Sequence, residues 1–155
     1  MKKIIIFLGS ILLIFGVFLN AGEISFDDFR NLIKKDILPA GFTLNESRTS
    51  GSRFSYRVEY EGDKAKGEMI SFSLYPGIEE FSEMDKAGDP ESYNFKGRSA
   101  LFADGNIEGM AGFSMILKNK KGKLEIHHRV FGSKFLSKAD LEEIVIKIGL
   151  ENLEK

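Results

Sequence analysis

Apolar residues fall in three rhythms along the chain. From Ile4 to Leu19 they run almost unbroken, behind Lys2 and Lys3 and ahead of Asn20-Ala21-Gly22. A basic stretch, an apolar stretch and small residues in that order predict an export leader over residues 1–22, with residues 23–155 as one mature domain. Gly9, Ser10 and Gly16 dilute the run, which is also short of the ~18 or more apolar residues of a spanning helix. A cut after Ala21 or Gly22 would place Leu19 or Asn20 where the peptidase prefers a small residue, so an uncleaved N-terminal anchor is the alternative. Both versions put the body outside the cytoplasm, in the periplasm or secreted. The chain has no Cys, hence no lipobox.

A helical rhythm follows. Phe26, Phe29, Ile33 and Ile37 recur at three- and four-residue intervals, with Leu32 beside them, after Ser25 and Asp28 in capping-box positions. Pro39 and Gly41 stop that predicted N-terminal helix. From Arg53 to Tyr60 the period changes to two, with Phe54, Tyr56, Val58 and Tyr60 on one face and Arg53, Ser55, Arg57 and Glu59 on the other. Further strands are predicted over Lys66 to Tyr75, ended by Pro76-Gly77, and over Tyr93 to Ala103. Between them Ile78 to Glu91 reads as a short helix and an acidic surface loop.

The last third alternates most clearly. Phe113, Met115 and Leu117, a turn at Asn119-Lys120-Lys121-Gly122, and Leu124, Ile126, His128 and Val130 predict a β-hairpin. Ser137 and Asp140 then cap a closing helix that buries Leu141, Ile144, Val145 and Ile148 before Gly149. Consecutive strands with a helix at each end predict an α+β fold: an antiparallel β-sheet of about five to six strands flanked by an N-terminal and a C-terminal helix.

Composition narrows the chemistry. Without Lys2 and Lys3 the 22 basic residues fall to 20 against 23 acidic ones, a net charge of about −3, which disfavours nucleic acid as a partner. The absence of Cys removes disulfides, thiol catalysis, thiolate zinc sites and iron–sulfur clusters. Stability has to come from the core, and the 14 Phe residues are the obvious source.

No catalytic or cofactor-binding set emerges. His127 and His128 are neighbours on a strand, so their rings point to opposite faces; His128 is expected as a hydrogen-bonded core residue and His127 as a surface one. Asp104, Asn106, Glu108 and Gly109 fill positions one, three, five and six of a calcium loop, yet Met115 stands at position twelve, so a plain turn is expected. The carboxylates Glu79, Glu80, Glu83, Asp85, Asp89 and Glu91 read as a solvated face, since general acid–base work needs two carboxylates held across a cleft. No Gly-x-Ser-x-Gly elbow and no phosphate loop is present. Lys118, Lys120, Lys121 and Lys123 gather at the hairpin, where lysines protect an edge and solubilise a turn; contact with acidic lipid or an anionic partner is the other reading.

The strand running into Phe135-Leu136-Ser137-Lys138-Ala139-Asp140-Leu141-Glu142-Glu143-Ile144 resembles the C-terminal end of small extracytoplasmic α+β domains, some of unknown function and some attached to anti-sigma-factor regulators. The layout also resembles the PsbP-type sheet between helices. The likeness covers roughly a third of the chain, rests on capping chemistry and transfers no catalytic residue. It implies a non-enzymatic binder of a partner or ligand. The leader, the Phe-rich core and the missing catalytic set lead to the expectation of a protein partner or a small apolar ligand in the cell envelope, without cofactor or metal. Two other classes are a membrane-tethered structural or assembly factor, should residues 1–22 stay attached, and an enzyme built from Asp104, Glu108 and His127.

Overall fold

The computed structural model describes residues 24–105, 109–118 and 121–154. The predicted leader, the middle of the candidate calcium loop, and Asn119 and Lys120 of the predicted hairpin turn lie outside them. The fold is mixed α+β. Eight antiparallel strands form one sheet: β1 (Thr43–Leu44), β2 (Ser50–Gly51), β3 (Tyr56–Glu61), β4 (Met69–Pro76), β5 (Glu91–Phe95), β6 (Arg98–Asp104), β7 (Met110–Ile116) and β8 (Gly122–Arg129). Their order is β1-β3-β4-β8-β7-β6-β5, with β2 also paired to β3. Among the described residues three α-helices accompany the sheet: α1 (Phe26–Leu32), α2 (Lys138–Ile148) and α3 (Leu150–Leu153).

Strand number is the first correction. Eight strands stand where five to six are expected, for two reasons. Strands β1 and β2 have two residues each, too short to show a period. The run Tyr93 to Ala103, read as one strand, is a hairpin: Lys96 and Gly97 both take positive φ (50° and 79°), Phe95 pairs with Arg98, and the Asn94 side chain accepts the Gly97 N–H at 2.9 Å. A two-residue turn with positive φ at both positions normally advertises itself by Asn or Asp at the first; lysine hides it.

The predicted N-terminal helix is the second. Instead of one helix to Ile37, α1 ends at Leu32, and a separate 3-10 turn covers Lys35–Ile37. The Tyr60 hydroxyl donates to the Ile33 carbonyl at 2.8 Å, and Pro39 disfavours a helical Leu38. Phe29, Ile33 and Ile37 are all buried nevertheless, so the apolar pattern is satisfied by a broken backbone. The expected helix after Ile78 is likewise absent, its place taken by turns.

The closing helix forms as its sequence predicts. Ser137 Oγ accepts from Asp140 N while Asp140 accepts from Ser137 N, and Leu141, Ile144, Val145 and Ile148 are buried. They join Val58, Ile70, Phe72, Phe113, Met115, Leu124 and Ile126 in a single core cluster on one face of the sheet. Phe95 meets Phe113 edge-on at 5.6 Å between ring centres, within the range aromatic pairs prefer.

Topology dictates what happens on the other face. Strand β4 sits beside β8, while β5 lies at the far edge, so the chain between them must cross β8, β7 and β6. Residues 77–90 make that crossing. The rest of the second face carries the alternate side chains Arg57, Glu59, Met69, Ser71, Ser73, Lys123, Glu125, His127, Arg129 and Met110.

Candidate functional site

The second sheet face is polar yet partly withdrawn from water. Glu59 is 0% exposed and Ser71 3%. The Glu59 carboxylate accepts Arg57 Nη2 at 2.7 Å and Arg48 Nη1 at 3.3 Å, one oxygen to each. Arg48 arrives from the 3-10 turn between β1 and β2, and its Nη1 also lies 3.7 Å from Met69 Sδ. Thr49 accepts the Glu59 N–H and the Glu59 carbonyl accepts from Asn45 N, so the short β1–β2 segment is laid over β3. A carboxylate this deep is tolerable only because both oxygens are held by cations.

A second network pins the crossing segment. Asp85 Oδ2 accepts from Ser82 N and Oγ at 2.7 and 2.8 Å, and its Oδ1 accepts from Lys123 Nζ. Lys123 also pairs with Glu125 at 2.8 Å and lies over the Tyr75 ring. Burial alone would push the Asp85 carboxyl up and the Lys123 amine down. Burial is the largest single influence on each, but their mutual bond together with the Ser82 bonds to Asp85, the Glu125 bond to Lys123 and the accompanying charges outweighs it, holding Asp85 below and Lys123 above the ordinary value. Asp85 thus leaves the solvated acidic loop predicted for it. Lys123, 9% exposed, likewise leaves the lysine cluster and has no surface to offer lipid.

On the core face His128 is 2% exposed and hydrogen-bonded, as its parity predicts. Its Nδ1 accepts the Leu136 N–H at 3.0 Å, which leaves the ring proton on Nε2, 3.3 Å from Glu68. The rings of Phe42 and Phe135 stand edge-on to it. Burial lowers the His128 pKa, and the Glu68 bond only partly offsets this. A lowered folded value means the unfolded chain takes up the proton first. Stability is then fully present above about pH 6.5 and lost as the pH falls towards the folded value. Urea midpoints between pH 7.5 and pH 5 should fall, with a shallower fall in His128→Gln; equal slopes would assign the acid sensitivity elsewhere.

Of the trio proposed from sequence for an enzyme, Asp104 and His127 belong to opposite faces of the sheet. Asp104 pairs with Ala111 in the row that contains inward His128, whereas His127 pairs with Gly112 in the outward row. Glu108 lies outside the described residues. Met115, position twelve of the calcium pattern, is wholly buried, and Gly109 N bonds back to the Gly105 carbonyl at 2.9 Å; Asn106 of that pattern, like Glu108, lies outside the described residues. A cavity of about 350 Å³ opens where the crossing segment meets the sheet, between Ala87–Glu91 and Phe102, Ala103, Asp104 and Met110.

Sequence reasoning missed Arg48, Glu59 and Asp85 as partners across the sheet. The chain matches no protein-family model, no curated protein and no solved structure. Among the described residues no helix is long and apolar enough to cross a membrane.

Proposed function

We propose that this chain is an exported, non-enzymatic binding domain that takes a protein partner on the second face of its sheet, in the cell envelope. The observation that carries the reading is the Arg48–Glu59–Arg57 network: a buried carboxylate that fixes two half-exposed guanidinium groups on the face opposite the core. Fixed charges at a partly dried surface suit recognition, because their orientation is paid for before a partner arrives. The same pairing speaks against proton transfer, since Glu59, Asp85 and Glu125 each hold a cation. The leader pattern and the resemblance of the closing strand–helix unit to extracytoplasmic domains support the location. A small apolar ligand is the second reading, favoured by the cavity at Phe102 and Met110. A membrane-tethered assembly factor is the version that applies if residues 1–22 are retained.

Native mass spectrometry of the protein taken from its own envelope tests these readings together. A mass starting near Gly22 or Glu23 with a non-covalently attached polypeptide is the expected result. An attached small molecule would support the second reading, and a bare mass keeping Met1 the tethered one. A bare mature chain, together with a turnover abolished by alanine at Asp104 or His127, would overturn the binding reading.

A further inference from the structure

Resting on the binding reading, the geometry points to a specific docking chemistry: we infer that the corner of the sheet around Arg129 takes an acidic, partly apolar peptide segment of a protein partner. Two guanidinium groups flank Met69 on this corner: Arg48, whose Nη1 lies 3.7 Å from the Met69 sulfur, and Arg129, which stands opposite Met69 on the neighbouring strand; Arg57 lies two rows further along. Glu59 is the carboxylate that Arg48 and Arg57 share. Arg129 stands in the next row, opposite Met69 on one neighbouring strand and Met110 on the other. Its Nε is buried and, among the described residues, has no hydrogen-bond partner. A buried N–H left unpaired costs about as much as a hydrogen bond is worth, so an incoming acceptor recovers that cost.

The surroundings fit the same occupant. The Arg129 guanidinium lies 5.7 Å from the centre of the Phe131 ring, which is 62% exposed. Arg48 touches the sulfur of Met69, so both methionines and the phenylalanine lie among the arginines. Arginine, methionine and aromatic side chains are the types enriched where proteins dock. Glu61, opposite Met69 in the Arg129 row, is a second carboxylate, and its oxygens face Asn45 and Lys64. With Glu59 likewise held by Arg48 and Arg57, Arg129 is, among the described residues, the cation of this corner without a carboxylate of its own, and its electrostatic complement is acidic. Because Nε is shielded in the free protein, the Arg129 side chain turns outward for a carboxylate to take Nε and one Nη side by side, while apolar neighbours in the same peptide cover Met69, Met110 and Phe131.

Fluorescence anisotropy with the full-length protein and a labelled synthetic peptide alternating aspartate with leucine provides the test. The wild type is expected to bind this peptide more weakly as salt rises and to ignore the counterpart with lysine for aspartate. Arg129→Gln should weaken binding about tenfold or more, Arg129→Lys should restore only part of it, and Arg48→Gln, at an exposed side chain, should weaken it less. Unchanged urea midpoints keep these losses separate from misfolding. Equal binding of both peptides would overturn the charge assignment while leaving a binding domain in place. Binding of neither peptide, or of phosphatidylglycerol vesicles in preference to the acidic one, would overturn the inference; the mass-spectrometric result then decides the broader reading independently.

Discussion

Replacing Arg98 by alanine is expected to cost about 3–5 kcal/mol of stability, because it strands a buried carboxylate. Arg98 and Glu154 are 7% and 9% exposed and meet as a fork, Nε to one carboxylate oxygen and Nη2 to the other. Glu154 also accepts the Lys118 backbone N–H at 2.7 Å, and Arg98 donates to the Lys96 carbonyl at 2.7 Å. One pair therefore ties the end of α3 to the β5–β6 turn and to the chain leaving β7. Leu150 and Leu153, both buried, are held against the core by the same latch. Urea unfolding of Arg98→Ala, of Glu154→Ala and of the double variant separates the pair's coupling from packing; a double variant as unstable as the sum of the singles would show that the two act independently.

The latch also fixes a pH window. Burial alone would push the Glu154 carboxyl up; the bonds from Arg98 and the Lys118 N–H, with their charges, outweigh it and hold the group below its usual 4.5. A folded value below the unfolded one stabilises above about pH 4.5, and that contribution is lost as the pH falls through the folded value. The acid limb of unfolding should therefore combine a His128 event at the higher pH with a carboxylate event at the lower, where Asp85 and Asp140, also held below their usual values, add to Glu154. Arg98→Ala is expected to flatten the lower one.

Local signals in the sequence were strong where structure is local. The α2 cap, its buried stripe and the β7–β8 pairing each depend on residues close in the chain, and each forms from the residues that predict it. What could not be read depends on distant partners. Glu59 alternates outward with Arg57, the pattern of a solvated side chain, and is dried by Arg48 from a turn beside a two-residue strand. Asp85 sits in an acidic run, and only the strand order, which forces residues 77–90 across the sheet, brings it to Lys123. The candidate site is made of such long-range pairs, so the sequence announced its residue types without their convergence. Even the strand count failed at places where one residue decides, as at Lys96.

The phenylalanines show how far alternation alone can be trusted, and they yield the other large effect. Phe54 and Phe113 are both assigned to buried faces by the two-residue period. Phe113 is wholly buried, flanked across the sheet by Phe102 and Ile126 and met edge-on by Phe95. Phe54 is 75% exposed, because Ser52 and Ser55 close a turn ahead of β3: Ser52 N donates to the Ser55 carbonyl at 2.8 Å, and Ser52 Oγ accepts from Ser55 N at 3.1 Å. Phe113→Ala should therefore lose about 3–5 kcal/mol, the transfer free energy of the ring plus the cavity it leaves in a rigid sheet. Phe54→Ala should change stability by less than about 0.5 kcal/mol. Chemical denaturation of the two variants side by side decides it. Comparable losses at both positions would mean that Phe54 packs inward and that the serine turn does not divert the chain.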